Sequence, residues 1–155
     1  MKPWALVLGA SSGFGGAVSL ELAKHGYNIF GVHLDRAVTL PDVKSLIRKI
    51  EHTKQHAVFF NINAADDIKR NEVLDEITER LHGHEKGSIK VLVHSLAFGT
   101  LKPFIAKTQT NCITQAQMEM TLNVMANSLV YWTQGLIFRN LLAEGGRIFT
   151  LTSAG

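Results

Sequence analysis

The fold of this chain is decided by residues 4–15, which read Trp-Ala-Leu-Val-Leu-Gly-Ala-Ser-Ser-Gly-Phe-Gly. An apolar run suited to a buried strand leads directly into a turn with glycines at positions 9, 13 and 15. Glycine adopts positive φ at little steric cost and lets a ligand approach the backbone closely. The helix after such a turn directs unpaired N–H groups and the positive end of its dipole at an anion. The stretch therefore predicts a site for a pyrophosphate group.

Length and composition describe a single ordinary domain. The chain has 155 residues, of which 46% are hydrophobic and 19% are charged, and a chain of this size buries one core. No apolar stretch is long enough to span a bilayer, and residues 4–8 are too few for the apolar core of a signal peptide. The single cysteine, Cys112, is typical of a reducing compartment. We therefore expect a cytoplasmic protein that does not associate with membranes.

Neither nucleic acid nor a metal ion is an expected partner. The net charge of +3 is spread thinly, and the densest basic stretch, residues 44–54, also carries Glu51 and is typical of the solvated face of a helix. Of the seven histidines only His82 and His84 lie close together in the sequence. They have no matching cluster of cysteines or carboxylates, so we expect solvated loop histidines rather than metal ligands.

Helix and strand patterns alternate along the rest of the chain. Hydrophobic periodicity, capping signals and turn residues predict strands over 28–34, 57–60, 90–94 and 147–152, and helices over 14–25, 41–50, 66–81 and from Thr114 to about Ala143. The last helix opens with a capping box and is ended by Gly145 and Gly146. One side of it is expected to carry Met118, Leu122, Met125, Leu129 and Trp132.

Five strands separated by four helices predict an α/β fold. The expected architecture is a Rossmann-type, doubly wound parallel sheet in three layers, with strand order 3-2-1-4-5, formed by residues 1–155 as one domain. In such sheets ligands bind outside the carboxyl ends of the strands, beside the switch point next to the first strand. The residues that follow each strand are therefore the candidates for function.

The glycine spacing G-x-x-x-G-x-G differs from the commoner G-x-G-x-x-G of dinucleotide-binding folds. Together with Ala-Ser-Ser at positions 10–12, it resembles the opening of the short-chain dehydrogenase/reductase family, whose members are NAD(P)-dependent oxidoreductases. The resemblance implies that NAD or NADP is the cofactor. It also implies that the cofactor is held by Gly9, Ser11, Ser12, Gly13, Phe14 and Gly15.

Residues 33–36, His-Leu-Asp-Arg, follow the second strand. At this place a dinucleotide-binding fold offers either a carboxylate to the ribose 2′-hydroxyl or a cation to a 2′-phosphate. Counted from Gly26, His33 stands where NAD-preferring members of the family keep their acid, while Arg36 has the planar fork of donors that suits a phosphate. Asp35 and Arg36 are also compatible with a surface turn. The choice between NAD and NADP stays open.

The ends of the third and fourth strands carry further resemblances. Asn61 and Ile62 occupy the positions that frame the adenine in the family, although Asn61 is equally typical of a turn. Residues 94–98, His-Ser-Leu-Ala-Phe, depart from the family's usual Asn-Asn-Ala-Gly and are similar to the signature of enoyl-acyl carrier protein reductases. We expect His94 to be a core histidine with a satisfied hydrogen bond rather than a catalytic group. The resemblance implies that the nicotinamide ribose is lined by Ser95, Leu96 and Ala97.

Two positions match catalytic residues of the family. Asn123 resembles the asparagine that supports a water and holds the active-site lysine in a proton relay; a solvated surface asparagine is the alternative, and its neighbour Asn127 is not excluded. Ser153 matches the serine that hydrogen-bonds the substrate carbonyl, and a turn residue is the alternative. The family's proton donor is a tyrosine, paired with a lysine, on the helix after the fifth strand. We therefore expect this chain to be the N-terminal part of the family's fold, truncated after strand five.

Two classes of function follow from the resemblance. In the first, the parent protein transfers hydride between NAD(P)H and a small carbonyl or enoyl thioester substrate, and it is a homodimer or homotetramer. Residues 1–155 alone are then inactive, because they lack the tyrosine and lysine. In the second, the chain is a non-catalytic dinucleotide-binding or interaction module.

Overall fold

The chain forms a five-stranded parallel sheet with helices on both faces. The computed structural model describes residues 2–83 and 85–152. The strand order is β3-β2-β1-β4-β5, and the predicted Rossmann-type fold and strand order are confirmed. In chain order the elements are β1 (Lys2–Leu8), α1 (Gly13–Lys24), β2 (Asn28–His33), α2 (Leu40–Glu51), β3 (Ala57–Asn61), α3 (Asp67–His82), β4 (Gly87–His94), a 3₁₀ turn (Gln109–Asn111), α4 (Gln115–Leu122), a π-helical segment (Asn123–Asn127), α5 (Ser128–Phe138) and β5 (Leu142–Thr150).

Alternate residues of the strands enter two separate cores, one on each face of the sheet. Successive side chains of a strand point to opposite faces, and β1 is apolar on both. On one face Trp4, Leu6 and Leu8 pack with residues of α3 and α5. On the other face Ala5 and Val7 pack with residues of α1 and α2. The central strand is therefore covered on both sides, which fixes the three layers.

The longest predicted helix ends five residues earlier than expected. The prediction placed its end at Ala143, but α5 ends at Phe138. Asn140 adopts a left-handed φ of +54°, its N–H donates to the Ile137 carbonyl at 3.0 Å, and the N–H of Leu141 donates to the Leu136 carbonyl at 2.9 Å. This pair of bonds is the Schellman arrangement that closes helices. Asn140, not the glycine pair, therefore ends the helix.

The predicted apolar side of that helix is also wrong in its first half. Three of its residues are substantially exposed, with fractions of 37% for Met118, 50% for Leu122 and 45% for Met125. The π-helical segment interrupts the regular α-helical repeat between α4 and α5, so a periodicity counted across it fails. The stripe that is buried consists of Val124, Ser128, Trp132 and Leu136.

Strand β5 begins earlier than predicted and is interrupted. The prediction was 147–152, whereas the strand runs over Leu142–Thr150. Its pairing with β4 joins Ile89 to Leu142 and then Val91 to Arg147, so extra residues bulge out between the two pairs. Gly145 lies in this bulge with a φ of +70°. The glycine pair belongs to the strand irregularity and not to a helix end.

The described residues were searched for membrane-spanning helices and for clusters of metal-binding side chains. Within residues 2–83 and 85–152, no helix combines the length and the apolar character needed to cross a bilayer. The same two stretches contain no group of three or more histidine, cysteine, aspartate or glutamate residues placed to hold a metal ion.

Candidate functional site

The turn after β1 packs against the end of β4 with no space for side chains. Gly9 has a φ of +82°, and a Cβ built on it would lie 2.4 Å from the carbonyl oxygen of Ser95. A Cβ on Gly15 would lie 1.9 Å from the carbonyl oxygen of Gly9. Real Cβ atoms do not approach oxygen so closely, and both positions require glycine. The turn, the first turn of α1 and the end of β4 therefore form one close-packed backbone surface.

The start of α1 leaves its first amides available. Ser12 occupies the N-cap position in an extended conformation, but its side chain makes no capping hydrogen bond. The first intrahelical bond is donated by the N–H of Gly16 to the Ser12 carbonyl at 3.0 Å. The N–H groups before it have no intrahelical partner, and they can hold an anion. Phe14 is 76% exposed in this turn and packs into neither core.

The ends of β2 and β3 are joined by side chains around Asp35. The ring nitrogen Nδ1 of buried His33 lies 2.9 Å from Oδ2 of Asp35. The amide of Asn61 brackets the Asp35 backbone: its Oδ1 accepts from the Asp35 N–H at 2.9 Å, and its Nδ2 donates to the Asp35 carbonyl at 3.0 Å. The N–H of Ile62 donates to the His33 carbonyl at 2.8 Å. Arg36 lies exposed beside this network.

Hydrogen bonds stabilise the charged form of the Asp35 carboxyl. Burial alone would raise its pKa, but hydrogen bonds from Ser11, Thr39 and His33 outweigh that effect and hold the pKa below its ordinary value. The carboxylate is therefore ionised at neutral pH. Because Ser11 belongs to the glycine turn, this contact also ties the end of β2 to the turn after β1.

The end of β4 supplies small or half-buried groups. The N–H of Ser95 donates to the Leu8 carbonyl at 2.9 Å, which continues the pairing of β4 with β1. Leu96 packs partly against the core, while Ala97 is exposed. The positions that the sequence assigned to the nicotinamide ribose thus lie directly next to Gly9.

The expectation for His94 is confirmed, because this residue is a core histidine with a satisfied hydrogen bond. It is 3% exposed, and its Nε2 lies 2.8 Å from Oγ of Ser128. Ser128 donates its hydroxyl hydrogen to the Val124 carbonyl at 2.7 Å, so it accepts from the Nε2–H of His94. Burial lowers the pKa of His94 below its usual value. The neutral ring therefore links β4 to the first residue of α5.

Asn123 begins the π-helical segment, beside the loop after β4. Two residues earlier, Thr121 accepts a hydrogen bond from the N–H of Thr100 at 3.0 Å, and a Cβ on Gly99 would lie 2.5 Å from its methyl group. Asn123 is half-buried, and among residues 2–83 and 85–152 its side-chain amide has no hydrogen-bond partner. Ser153, the other predicted catalytic residue, lies outside the described residues.

The structure groups most of the predicted residues into two clusters and adds some that the sequence did not indicate. One cluster joins the glycine turn to the end of β4, and the other surrounds Asp35. Thr39 and Ser128 were missed: the first supports the Asp35 carboxyl and the second is the partner of His94. A polar residue within an otherwise buried stripe of spacing four, as at Ser128, is the signal that identifies the second.

Ser128→Ala is expected to destabilise the protein by about 1–3 kcal/mol, because it leaves the buried N–H of His94 without an acceptor. Ser19→Ala is the matched control. Ser19 is also a buried helical serine whose hydroxyl donates to the carbonyl four residues earlier, at 2.8 Å. Within residues 2–83 and 85–152 no other side chain bonds to the Ser19 hydroxyl, so its replacement should be close to neutral. Urea unfolding of both variants measures the difference, and equal losses would contradict the role of Ser128.

Comparison with known proteins gives one consistent result. The family described as short chain dehydrogenase matches residues 3–155. The chain is 30% identical over 153 residues to 17-beta-hydroxysteroid dehydrogenase type 3 of Mus musculus, covering 99% of this chain and 46% of that protein. It is 28% identical over 109 residues to L-2,3-butanediol dehydrogenase of Corynebacterium glutamicum, covering 70% of this chain and 40% of that protein.

Solved structures share the fold. A short chain dehydrogenase from Burkholderia cenocepacia in complex with NADP is 25% identical, with a TM-score of 0.70, over 94% of this chain and 53% of that chain. Acetoin dehydrogenase YohF from Salmonella typhimurium is 21% identical, with a TM-score of 0.77, over 99% of this chain and 55% of that chain. The chain thus spans about half the length of the proteins it matches.

Proposed function

Because this chain belongs to the short-chain dehydrogenase family, we propose that it forms the cofactor-binding part of an oxidoreductase that transfers hydride between NAD or NADP and a carbonyl substrate or its alcohol. The contact of Gly9 and Gly15 with Ser95 carries this proposal. The two glycines let the turn after β1, the first turn of α1 and the end of β4 pack backbone against backbone, at the carboxyl ends of the central strands where doubly wound folds bind dinucleotides.

Four groups of residues along this edge would hold the cofactor. The pyrophosphate would lie on the amides of residues 11–15 in the glycine turn, since the N–H groups of Gly9 and Ala10 already donate to the Val32 carbonyl. The adenosine ribose would lie at residues 33–36, the adenine beside Asn61 and Ile62, and the nicotinamide ribose along residues 95–97. The bound nicotinamide supplies or takes up the hydride. The protein's contribution is to bind, orient and exclude water.

The catalytic groups of the proposal are Ser153 and Asn123. Ser153 orients the substrate and polarises its carbonyl oxygen by a hydrogen bond. Asn123 holds a water in the proton relay, and its half-buried amide, without a partner among the described residues, supports this role. The proton donor is a tyrosine with its lysine in the longer parent protein. Residues 1–155 by themselves are then without turnover.

A secondary alcohol or its ketone is the favoured substrate class. The matched relatives are named for a hydroxysteroid and for butanediol, and both names describe alcohols. An enoyl thioester is the second candidate, and the residues His-Ser-Leu-Ala-Phe at 94–98 favour it. Both candidates use the same cofactor half of the site.

The proposed protein is cytoplasmic and homo-oligomeric. The low cysteine content supports the compartment. A set of exposed apolar residues on α4, the π-helical segment and α5 supports self-association: Leu122, Met125, Val130, Ile137 and Phe138. The proposed assembly is a dimer or a tetramer.

The full-length protein tests the proposal directly. NADH or NADPH should be oxidised when acetoin, an acetoacetyl thioester or a crotonyl thioester is added, and absorbance at the nicotinamide band measures the rate. Ser153→Ala should lower kcat on the order of 10²–10³-fold, as does the loss of one donor to a developing oxyanion. Thr152→Ala, which removes the neighbouring hydroxyl, should retain the wild-type rate.

The substrates separate the candidates. Turnover of acetoin or the acetoacetyl thioester supports carbonyl reduction, and turnover of the crotonyl thioester alone supports the enoyl class. A folded protein that binds cofactor but oxidises it with none of the three contradicts these substrate classes. A full-length sequence without a tyrosine and lysine at the family's spacing contradicts the enzyme and favours a non-catalytic dinucleotide-binding module.

A further inference from the structure

We propose that His94 and Ser128 are positioning residues for Asn123, which they hold in place through the backbone of the π-helical segment. The inference rests on the proposed function, because Asn123 has its role in the proton relay there. It is carried by three hydrogen bonds that meet at Ser128, one from β4 and two to carbonyls of the π-helical segment.

Ser128 is bonded to the π-helical segment through both its backbone and its side chain. Its N–H donates to the carbonyl of Asn123, five residues earlier, and lies within hydrogen-bond distance of the Ala126 carbonyl as well. Its hydroxyl donates to the Val124 carbonyl at 2.7 Å. In a regular α-helix the Val124 carbonyl would accept from the backbone N–H of Ser128. The hydroxyl therefore supplies the bond that this N–H would make in an α-helix.

Ser128 is held in turn from the sheet. The Nε2–H of His94 donates to Oγ of Ser128 at 2.8 Å, because the single hydrogen of the hydroxyl is engaged with the Val124 carbonyl. Both side chains are buried. In the low dielectric of a core a hydrogen bond is stronger than in water, and no solvent competes for these groups. His94 thus fixes the orientation of the Ser128 hydroxyl.

His94 belongs to the edge of the sheet that would hold the cofactor. It is the last residue of β4, and the carbonyl of the next residue, Ser95, packs against Gly9. The hydrogen bonds at Ser128 therefore join the strand that leads to the proposed nicotinamide ribose positions with the segment that begins at Asn123. Movement of the segment relative to this strand would change the distance between the relay and the nicotinamide.

The amide of Asn123 takes its position from its backbone. The side chain is half-buried, and among residues 2–83 and 85–152 it has no hydrogen-bond partner. The backbone N–H of Asn123 is bonded within α4, and its carbonyl is bonded to Ser128. Removal of the Ser128 hydroxyl frees the Val124 carbonyl and the His94 ring together. We therefore expect the Asn123 amide to be displaced when this hydroxyl is absent.

The test is steady-state kinetics of the full-length protein in water and in deuterium oxide, with kcat expressed per folded molecule. Ser128→Ala should lower kcat about tenfold, a part of the roughly 10²–10⁴-fold that general acid–base catalysis contributes. The solvent isotope effect on kcat should rise, because proton transfer through a displaced relay becomes slow relative to the other steps. KM for the cofactor should change little, because the amides of the glycine turn are unaltered.

Two further variants separate positioning from packing. Ser128→Cys keeps nearly the same side-chain volume, but sulfur is a weak donor and a weak acceptor. Its kcat should therefore fall and its isotope effect should rise, as for Ser128→Ala. Thr78→Ala is the control, since it also removes a hydroxyl that donates to the carbonyl four residues earlier, that of Leu74 at 2.7 Å, but in α3. It should retain both wild-type values, because a loss of folded molecules does not change a ratio of two rates.

The Asn123→Ala variant shows where a failure lies. If Ser128 acts through Asn123, the double variant Ser128→Ala with Asn123→Ala should be no slower than Asn123→Ala alone. Additive losses overturn the inference, as do wild-type kcat and isotope effect in both Ser128 variants when Asn123→Ala is slow. A wild-type rate and isotope effect in Asn123→Ala, or a folded wild type without turnover, overturns the proposed role of Asn123 and the inference with it.

Discussion

Replacement of Gly15 by alanine is expected to abolish cofactor binding, with a loss of at least about 100-fold, or about 3 kcal/mol. The new Cβ would lie 1.9 Å from the Gly9 carbonyl oxygen. Gly9 cannot move aside, because its N–H donates to the Val32 carbonyl at 2.8 Å and its own Cβ position is closed by Ser95. Relief of the clash must displace the first turn of α1, whose amides would hold the pyrophosphate in the proposed function. Titration with NADH or NADPH measures the loss.

Gly16→Ala is the matched control for Gly15. The two glycines are adjacent in the same helical turn, but a Cβ on Gly16 meets its nearest atom, the Ala10 carbonyl oxygen, at 3.5 Å. This is an ordinary van der Waals contact. The variant should bind cofactor as the wild type does and should gain about 0.4–1 kcal/mol of stability from the reduced entropy of the unfolded chain. Similar binding losses in both variants would show that the turn does not need the close backbone contact.

Trp132→Ala is expected to destabilise the protein by about 3–5 kcal/mol, a large part of the roughly 5–15 kcal/mol that stabilises a typical domain. Trp132 is fully buried in the core on the α3 and α5 face. Its Nε1–H donates to the Ala64 carbonyl at 2.9 Å, so it also joins α5 to the segment after β3. The loss therefore combines a cavity with an unpaired carbonyl. The urea midpoint measures it.

Tyr131→Ala is the control for Trp132→Ala, because it removes an aromatic side chain that is only partly buried. Tyr131 precedes Trp132 but is 40% exposed, and the guanidinium of Arg70 lies over its ring, 5.1 Å from the ring centre. Loss of such a contact at a partly exposed site costs about 0.5–1 kcal/mol. Equal destabilisation by the two variants would mean that the core on this face does not depend on Trp132.

The sequence alone predicted correctly those parts of the fold that depend on local hydrophobic periodicity. The inner face predicted for the third helix, Val73, Leu74, Ile77 and Leu81, is buried throughout, because a spacing of three and four residues determines which side of a helix is apolar. The alternation of helices and strands determines the parallel sheet in the same way. The features that failed depend on more than hydrophobic spacing: the π-helical segment interrupts the α-helical repeat, and the helix end depends on a left-handed Asn140.

The site was predictable as a set of positions but not as a network. The rule that ligands bind after the strands led to Asp35 and Asn61 separately. Their mutual hydrogen bonds join residues 26 positions apart, and nothing in either local sequence indicates that one amide spans both backbone groups of the other residue. The role of Asn61 beside the adenine therefore stays a prediction, while its contact with Asp35 is a property of the folded chain.

The π-helical segment gives the helical region from Gln115 to Phe138 an angular offset. An α-helix rotates by about 100° for each residue. One extra residue absorbed within a π-helical turn therefore offsets every later residue by that angle from the position that sequence spacing would give it. Met118, which sequence spacing places within about 40° of Trp132, faces outward for this reason. The segment has the form that a one-residue insertion would leave. Deletion of one residue within 123–127 would therefore restore the regular α-helical repeat and leave the faces before and after the segment in the relation that they have now.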